Sequence, residues 1–486
     1  MAEAARNRWI ALVVLCVGML MIILDSTVVN VALPSIQHDL HFSQSNLAWV
    51  VNAYLITFGG LLLLAGRLGD LIGRKRVFMA GLVLFTIASL ACGISNSQGF
   101  LIGARFVQGI GGALTSGVIL GMVVTMFPEP QEQGKAIGVY SFVAAAGASL
   151  GLLLGGVVTQ VINWHWIFFI NIPIGVVTAL LATPLVARDG KVPGLHRGVD
   201  IPGAGLVTAA LMLAVYTIVK AADNGWASAH TLGFGAGAVA LLAAFVAREA
   251  TAAEPLVPLR IFRSRNVSGA NAVQLLMVAG LFGMFFLGVL FMQHVLGYSS
   301  ITTGVAFLPV SLGIGIFSVG LSARLNMRFG PKATLLPSVA ALALGLVWLT
   351  RIPVHASYAV DLLPSMLLLG VGAGLAFPSL MTLAMSGATP SEAGLASGLV
   401  NTSLQVGGAL GLALLASLST TRTSHLLASG SSQASALTGG YHLAWVVSAG
   451  IAAAALIVAV VVLKGVQTGE AEDQAVDVEP AYSEAA

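Results

Sequence analysis

The sequence predicts an all-α polytopic membrane protein of fourteen transmembrane helices, folded as two six-helix bundles with two helices inserted between them. Three observations carry that expectation. Apolar residues make up 57% of the 486 residues and charged residues only 8%, against roughly 25% charged in an average soluble domain. Apolar stretches of about 20 residues, the length that crosses a bilayer as a helix, recur along the whole chain. The chain also repeats itself, since Gly66 to Arg76 reads GRLGDLIGRKR and Ala323 to Lys332 reads ARLNMRFGPK.

Span 1 starts near Trp9, and its apolar run is longer than a signal-peptide core, which predicts a retained helix. Spans 2 and 3 start near Asn46 and Val77 and flank the charge-dense Gly66 to Arg76 hinge. Spans 4, 5 and 6 start near Leu101, Lys135 and Trp166, and spans 7 and 8 near Val199 and His230. The last six start near Asn266, Thr302, Lys332, Tyr358, Ala393 and His442. An even count puts both termini on one side. Eighteen Lys and Arg residues lie at the termini or in the even-numbered connections, against three, Lys220, Arg351 and Arg422, on the other face. That bias predicts cytoplasmic termini. A net charge of +3 spread over so few charges gives no basic surface for nucleic acid. Cys16 and Cys92 fall inside apolar runs, which supports neither a disulfide framework nor a metal site.

The repeat sets the domain organisation. At an offset of 257, Arg324 answers Arg67, Leu325 answers Leu68, Gly330 answers Gly73 and Lys332 answers Lys75. At 260, Gly394 answers Gly134, Gly398 answers Gly138, Gly407 answers Gly147 and Gly411 answers Gly151; at 261, Gly370 answers Gly109 and Gly372 answers Gly111. These offsets predict a bundle over 1–186, two inserted helices and their linkers over 187–265, and a second bundle over 266–464. Residues 465–486 form an acidic tail expected to be disordered. Halves of the same orientation imply a pseudo-twofold axis along the membrane normal and a cavity that opens to one side at a time, an arrangement found most often in transporters. No G-x-x-x-x-G-K-[ST] loop is present, which disfavours ATP as the energy source.

Four segments carry a family resemblance. LDSTVVNVALP (Leu24 to Pro34), GRLGDLIGRKR, RFVQGIGGA (Arg105 to Ala113) and WHWIFFINIPIG (Trp164 to Gly175) stand in this order through the amino-terminal half. Together they resemble the major facilitator superfamily, and within it the fourteen-span drug:proton antiporter branch. The resemblance implies the major facilitator fold and a cytoplasmic gate at Gly66, Arg67, Asp70, Gly73, Arg74 and Lys75. It also marks Gln108 and Gly109 as part of a span 4 motif, and Gly147, Gly151, Gly155 and Gly156 as an antiporter-like span 5 motif. The chain departs from the pattern at Leu152, where that motif usually has proline.

The charges inside the spans can be read without the resemblance. Asp25 is the only acid well inside a span, where an ionised group costs about 2.5–3.5 kcal/mol on insertion scales. Span 1 runs outward and span 4 inward, so at about 1.5 Å per residue Asp25 and Arg105 reach the same outer-half depth. They are therefore the candidates for proton coupling. Burial favours the neutral carboxyl and a nearby guanidinium the charged one, so separating the pair would toggle Asp25. The bland alternative is a static, snorkelled Arg105 with Asp25 at a helix end.

Other features admit two readings each. Arg74, Lys75 and Arg76 serve topology or a gate, and Asp70 favours the gate because acids contribute little to topology; Met327 replaces that acid in the second copy. The span 5 glycines permit close packing, or also seal the cavity against proton leak. Asn401, Gln405 and Phe142 are possible cavity residues, with interhelical hydrogen bonding or lipid contact as the alternatives. The reading that follows is a transporter and not an enzyme: an exporter of amphipathic or hydrophobic small molecules across the cytoplasmic membrane. It needs no cofactor beyond the proton gradient, and its partners are substrate, protons and lipid. An importer or uniporter of a metabolite is the alternative, and a receptor or scaffold a more distant one. Oligomeric state leaves no signal in the sequence.

Overall fold

The computed structural model describes residues 2–127, 129–186, 200–253, 255–386 and 393–465, and residues 466–486 of the acidic tail lie outside that description. Among the described residues the chain is helical throughout. The first six spans are α1 (Ala2–Asp39), α2 (Gln44–Ile72), α3 (Arg74–Gly93), α4 (Gln98–Met126), α5 (Pro130–Val161) and the pair α6 (Trp166–Phe169) and α7 (Asn171–Leu185). Then come α8 (Ile201–Asn224) and α9 (Ala229–Thr251), which pack on each other. The remainder is α10 (Arg265–His294), α11 (Ser300–Ala306), α12 (Leu308–Ile316), α13 (Ser322–Phe329), α14 (Pro331–Leu349), α15 (Leu363–Ser386), α16 (Ala393–Ala428) and α17 (Gln433–Val462).

Twelve of these helices are long and apolar enough to cross a membrane, and Leu150–Val161 of α5 and Ser300–Ile316 are shorter apolar helices. Fourteen spans therefore require counting α5 and the interrupted α11 to α13 run. That run breaks for local reasons: Pro309 starts α12, and Phe317–Leu321 forms a π-helical turn before α13. Span 14 begins at Gln433, nine residues ahead of the expected His442, because Ser432 caps the helix by accepting from Ser435 N at 3.3 Å. A serine acceptor at that position satisfies a free helix N–H, so the small and polar first turns fold as helix.

The repeat is a repeat of backbone. Gly73 ends α2 at φ +105°, and Gly330 ends α13 at φ +83°, a region that only glycine enters freely. Each therefore turns the chain sharply into the next helix. At the end opposite the Gly66–Arg76 turn, polar and backbone contacts join the two halves of the chain. There Gln160 Oε1 accepts from Ile301 N at 3.1 Å, Gln293 Nε2 donates to Val31 O at 3.2 Å and Gln44 Nε2 to Ser419 Oγ at 3.5 Å. A Cβ on Gly156 would lie 2.7 Å from Ser300 O, and one on Gly304 2.7 Å from Leu152 O. The long seam is α2 against α16.

Candidate functional site

Five helices bring polar side chains to one buried point. Asp25 of α1 and Arg105 of α4 are each 1% exposed and form an ion pair through Arg105 Nη1 and Asp25 Oδ2. The other carboxylate oxygen, Oδ1, accepts from Gln108 Nε2 at 2.8 Å and Asn171 Nδ2 at 3.0 Å. Arg105 Nη1 also donates to Gln108 Oε1 at 2.6 Å, and Arg105 Nε to Val50 O at 2.9 Å. Ser89 Oγ accepts from Gln108 Nε2 at 2.8 Å and from Asn171 Nδ2 at 3.4 Å. The guanidinium carbon lies 4.3 Å from the Tyr54 ring centroid and 5.7 Å from that of Phe168, an added attraction for a desolvated cation.

Glycines make this convergence possible. A Cβ on Gly109 would strike Thr57 Oγ1 and come within 2.5 Å of Tyr54 O. Without one, α4 lies against α2, Thr57 Oγ1 reaches Phe106 O at 3.0 Å, and Arg105 reaches Val50 O. Gly147, Gly151 and Gly155 do the same between α5 and α1: their Cβ atoms would meet Leu20, Thr27 and the Val28 carbonyl respectively. Gly156, one residue on, faces α11 of the other half instead. Leu152, in the position of the expected proline, presents its carbonyl to Gly304.

At the Gly66–Arg76 turn, Asp70 Oδ1 accepts from Arg74 Nη2 at 2.8 Å and Nε at 3.2 Å. Arg74 Nη1 continues to Gly121 O of α4 at 2.7 Å. The cluster thus ties α2, α3 and α4 of one half, with the Asp70 side chain 51% exposed. Gly69 is the crowded glycine of this turn, its Cβ position 2.5 Å from Val118 Cγ1, whereas Gly66 meets only Gly117 O at 3.5 Å. Arg67 is engaged as well. Of the possible cavity residues, Gln405 packs against Gly59 at the α2–α16 seam, where its Oε1 is buried without a partner among the described residues. Asn401 is exposed and engaged; the side chain of Phe142 lies outside the described residues.

Depth along the spans pairs Asp25 with Arg105, whereas Gln108 enters only through a motif and nothing in the sequence gives Ser89, Asn171 or Tyr54 a role. Asn171 lies within the WHWIFFINIPIG segment. An amide in a span is the signal that was available. Ser89 and Tyr54 carried none, since both residue types are common on packed membrane helices.

The whole chain, and not the buried pair alone, resembles known transporters. The sequence profile of the Major Facilitator Superfamily covers residues 15–412. The chain belongs to that superfamily. It is 39% identical over 439 residues to the puromycin resistance protein pur8 of Streptomyces alboniger, covering 90% of this chain and 87% of that one. It is 37% identical over 415 residues to the cephamycin export protein CmcT of Amycolatopsis lactamdurans, covering 85% of each. These relatives put the chain in the drug-efflux branch. The human organic anion transporter MFSD10 superposes with a TM-score of 0.63 over 93% of this chain and 99% of its own, at 14% identity, a likeness of fold alone. The protein is thus a multi-pass membrane transporter.

Proposed function

We propose that this protein is a proton-coupled exporter of antibiotic-like amphipathic small molecules in the cytoplasmic membrane, with both termini in the cytoplasm. The observation that supports proton coupling is the unequal ligation of Asp25. Its Oδ1 is held by the Gln108 and Asn171 amides, while Oδ2 is held by Arg105. Asp25 and Arg105 belong to helices of opposite direction, so a tilt of α4 against α1 withdraws the guanidinium from Oδ2. A buried carboxylate without its cation is strongly unfavourable, by several kcal/mol. Oδ2 then takes a proton while the Asn171 amide of α7, which does not move with α4, stays on Oδ1. When Arg105 returns, the proton leaves. Export follows if the protonated form belongs to one orientation of the cavity and the ion pair to the other, each state being favoured by what it binds.

In this reading the bundles 1–186 and 266–464 rock about the substrate, and the Asp70–Arg74 turn is the cytoplasmic gate. The names of the relatives supply the substrate class: puromycin, cephamycin, tetracenomycin C and lincomycin in the resistance and export proteins of actinobacteria. Inside-out membrane vesicles test it. A vesicle acidified inside should accumulate a labelled member of this set, lose it on adding a protonophore, and accumulate none with ATP when the gradient is absent. Uptake into right-side-out vesicles driven by an inward proton gradient would instead mark an importer.

A further inference from the structure

A second buried carboxylate pair lies far from Asp25, at the base of the inserted helices α8 and α9, on the same side as the Gly66–Arg76 turn. Asp200 caps α8, its Oδ1 accepting from Gly203 N at 3.0 Å and from Arg248 Nε at 3.0 Å. Glu249 stands at the end of α9, and its Oε2 accepts from Val257 N at 2.8 Å. Both residues are 3% exposed. The remaining oxygens, Asp200 Oδ2 and Glu249 Oε1, have no partner among the described residues. They converge on Gly203, whose absent Cβ would lie 2.5 Å from Asp200 Oδ2 and 3.0 Å from Glu249 Oε1.

Two ionised carboxylates whose free oxygens share one small buried space repel each other, and each leaves an acceptor unsatisfied. One proton removes both costs. We propose that Asp200 and Glu249 bind a single shared proton, carried on Glu249 Oε1 and donated to Asp200 Oδ2, as a site separate from Asp25. Glu249 is the carrier because Asp200 already holds Arg248 and the amino terminus of α8, which both favour its negative charge. Among the described residues, Asp200 and Arg248 are the charged groups that bear on Glu249. Arg67 of α2 and Arg260 of the linker, on the same side of the membrane, are themselves engaged. With the proton bound, the trio of Asp200, Arg248 and Glu249 is neutral.

The site holds a strap. Through Val257, Glu249 fastens the linker that runs from α9 to α10, and Val257 and Ile261 pack with Val267 of α10 and with Ala396 and Leu399 of α16, alongside Leu63 of α2. This is the seam between the halves at the gate side. Proton loss sets Glu249 against Asp200 and loosens the strap from that seam, so the strap-docked state is the protonated one.

The test uses full-length protein purified in detergent. Wild-type protein should show the infrared carbonyl band of a protonated, deuterium-sensitive carboxylic acid that Asp25→Asn retains and Glu249→Gln lacks. Thermal stability of the wild type should fall as pH rises, while Glu249→Gln, which keeps an N–H donor toward Asp200, should have a flatter profile. Leu256 packs beside Val257 against the same cluster, and cysteine accessibility at Leu256→Cys should rise with pH in the wild-type background and not in Glu249→Gln. A band unchanged in Glu249→Gln, or stability that follows sodium or calcium and not pH, would overturn the shared proton. Glu249→Ala separates charge from packing: if it matches Glu249→Gln at every pH, the side chain donates to nothing and the proposal fails.

Discussion

Lys75 and Lys332 perform the same act in the two halves of the chain. Lys75 Nζ donates to Thr183 O at 2.7 Å and Val186 O at 2.6 Å, at the end of α7. Lys332 Nζ donates to Val460 O at 3.0 Å and Leu463 O at 2.6 Å, at the end of α17. In each case the ammonium at the start of the third helix of a bundle caps carbonyls spaced three residues apart at the end of the sixth. Free carbonyls and the negative end of the helix dipole favour a cation there.

Because the two caps are equivalent, Lys75→Met and Lys332→Met should destabilise their bundles by similar amounts, about 0.5–2 kcal/mol each for a partly exposed cap. Thermal unfolding of the purified variants measures this, and arginine at either position should restore part of the loss. A clear cost at one lysine and none at the other would show that the shared geometry does not carry shared energetics.

Only one side of this pairing is written in the sequence. Lys332 aligns with Lys75 at an offset of 257, so the repeated donor was visible. The accepting carbonyls were not: Thr183 and Val460 stand 277 residues apart, outside the register that related spans 2 to 5 with 10 to 13. Backbone acceptors carry no side-chain signature. The same limit explains Arg105, whose acid partner followed from depth while its bond to Val50 O did not. Most of the span starts were legible because bilayer thickness imposes a length on the apolar runs, and the π-helical turn in Phe317–Leu321 was not because it leaves hydropathy unchanged.

Asp25→Asn should abolish uphill export, since an amide cannot exchange the proton. The structure adds a stability cost, because Arg105 is 1% exposed and would be left as an unpaired buried cation at a cost of roughly 3–5 kcal/mol. The double variant Asp25→Asn/Arg105→Met should regain much of that stability and none of the export. Melting temperature and vesicle transport, measured on the same preparations, separate the two effects. Uphill export by a folded Asp25→Asn protein would remove Asp25 from coupling.

Gly151→Ala and Gly103→Ala should have opposite signs. A Cβ on Gly151 would strike Thr27 Oγ1 and lie 3.0 Å from Thr27 Cβ, forcing α5 away from the helix that carries Asp25, whereas nothing lies within 4 Å of the same atom on Gly103. Overpacking typically costs about 1–3 kcal/mol, while alanine in an open helical site gains up to about 1 kcal/mol over glycine. Gly151→Ala should therefore melt lower and export less, and Gly103→Ala should melt at or above the parent. A Gly151→Ala protein as stable as the parent would mean that α1 and α5 yield without consequence.

Asp70→Asn tests whether the turn between α2 and α3 is a gate or only a clamp. In this structure the acid is bonded to Arg74 of its own half and is half exposed, and Gln160 and Gln293 bond across the halves at the opposite end of the bundle. An exposed pair of this kind contributes little to stability, about 0–1 kcal/mol, so the clamp alone predicts an almost silent variant. A gate predicts more. When the turn side closes, Asp70 comes within reach of the other half, and losing a contact worth about 1.4 kcal/mol in that state shifts the two orientations about tenfold. Accessibility of a cysteine placed near the turn should then rise in Asp70→Asn with little change in melting temperature. Met327→Asn, at the matching place in the second copy, should leave accessibility unchanged because that side chain has no charge to lose. Equal accessibility changes at the two positions, or none at Asp70, would reduce the turn to a topological signal.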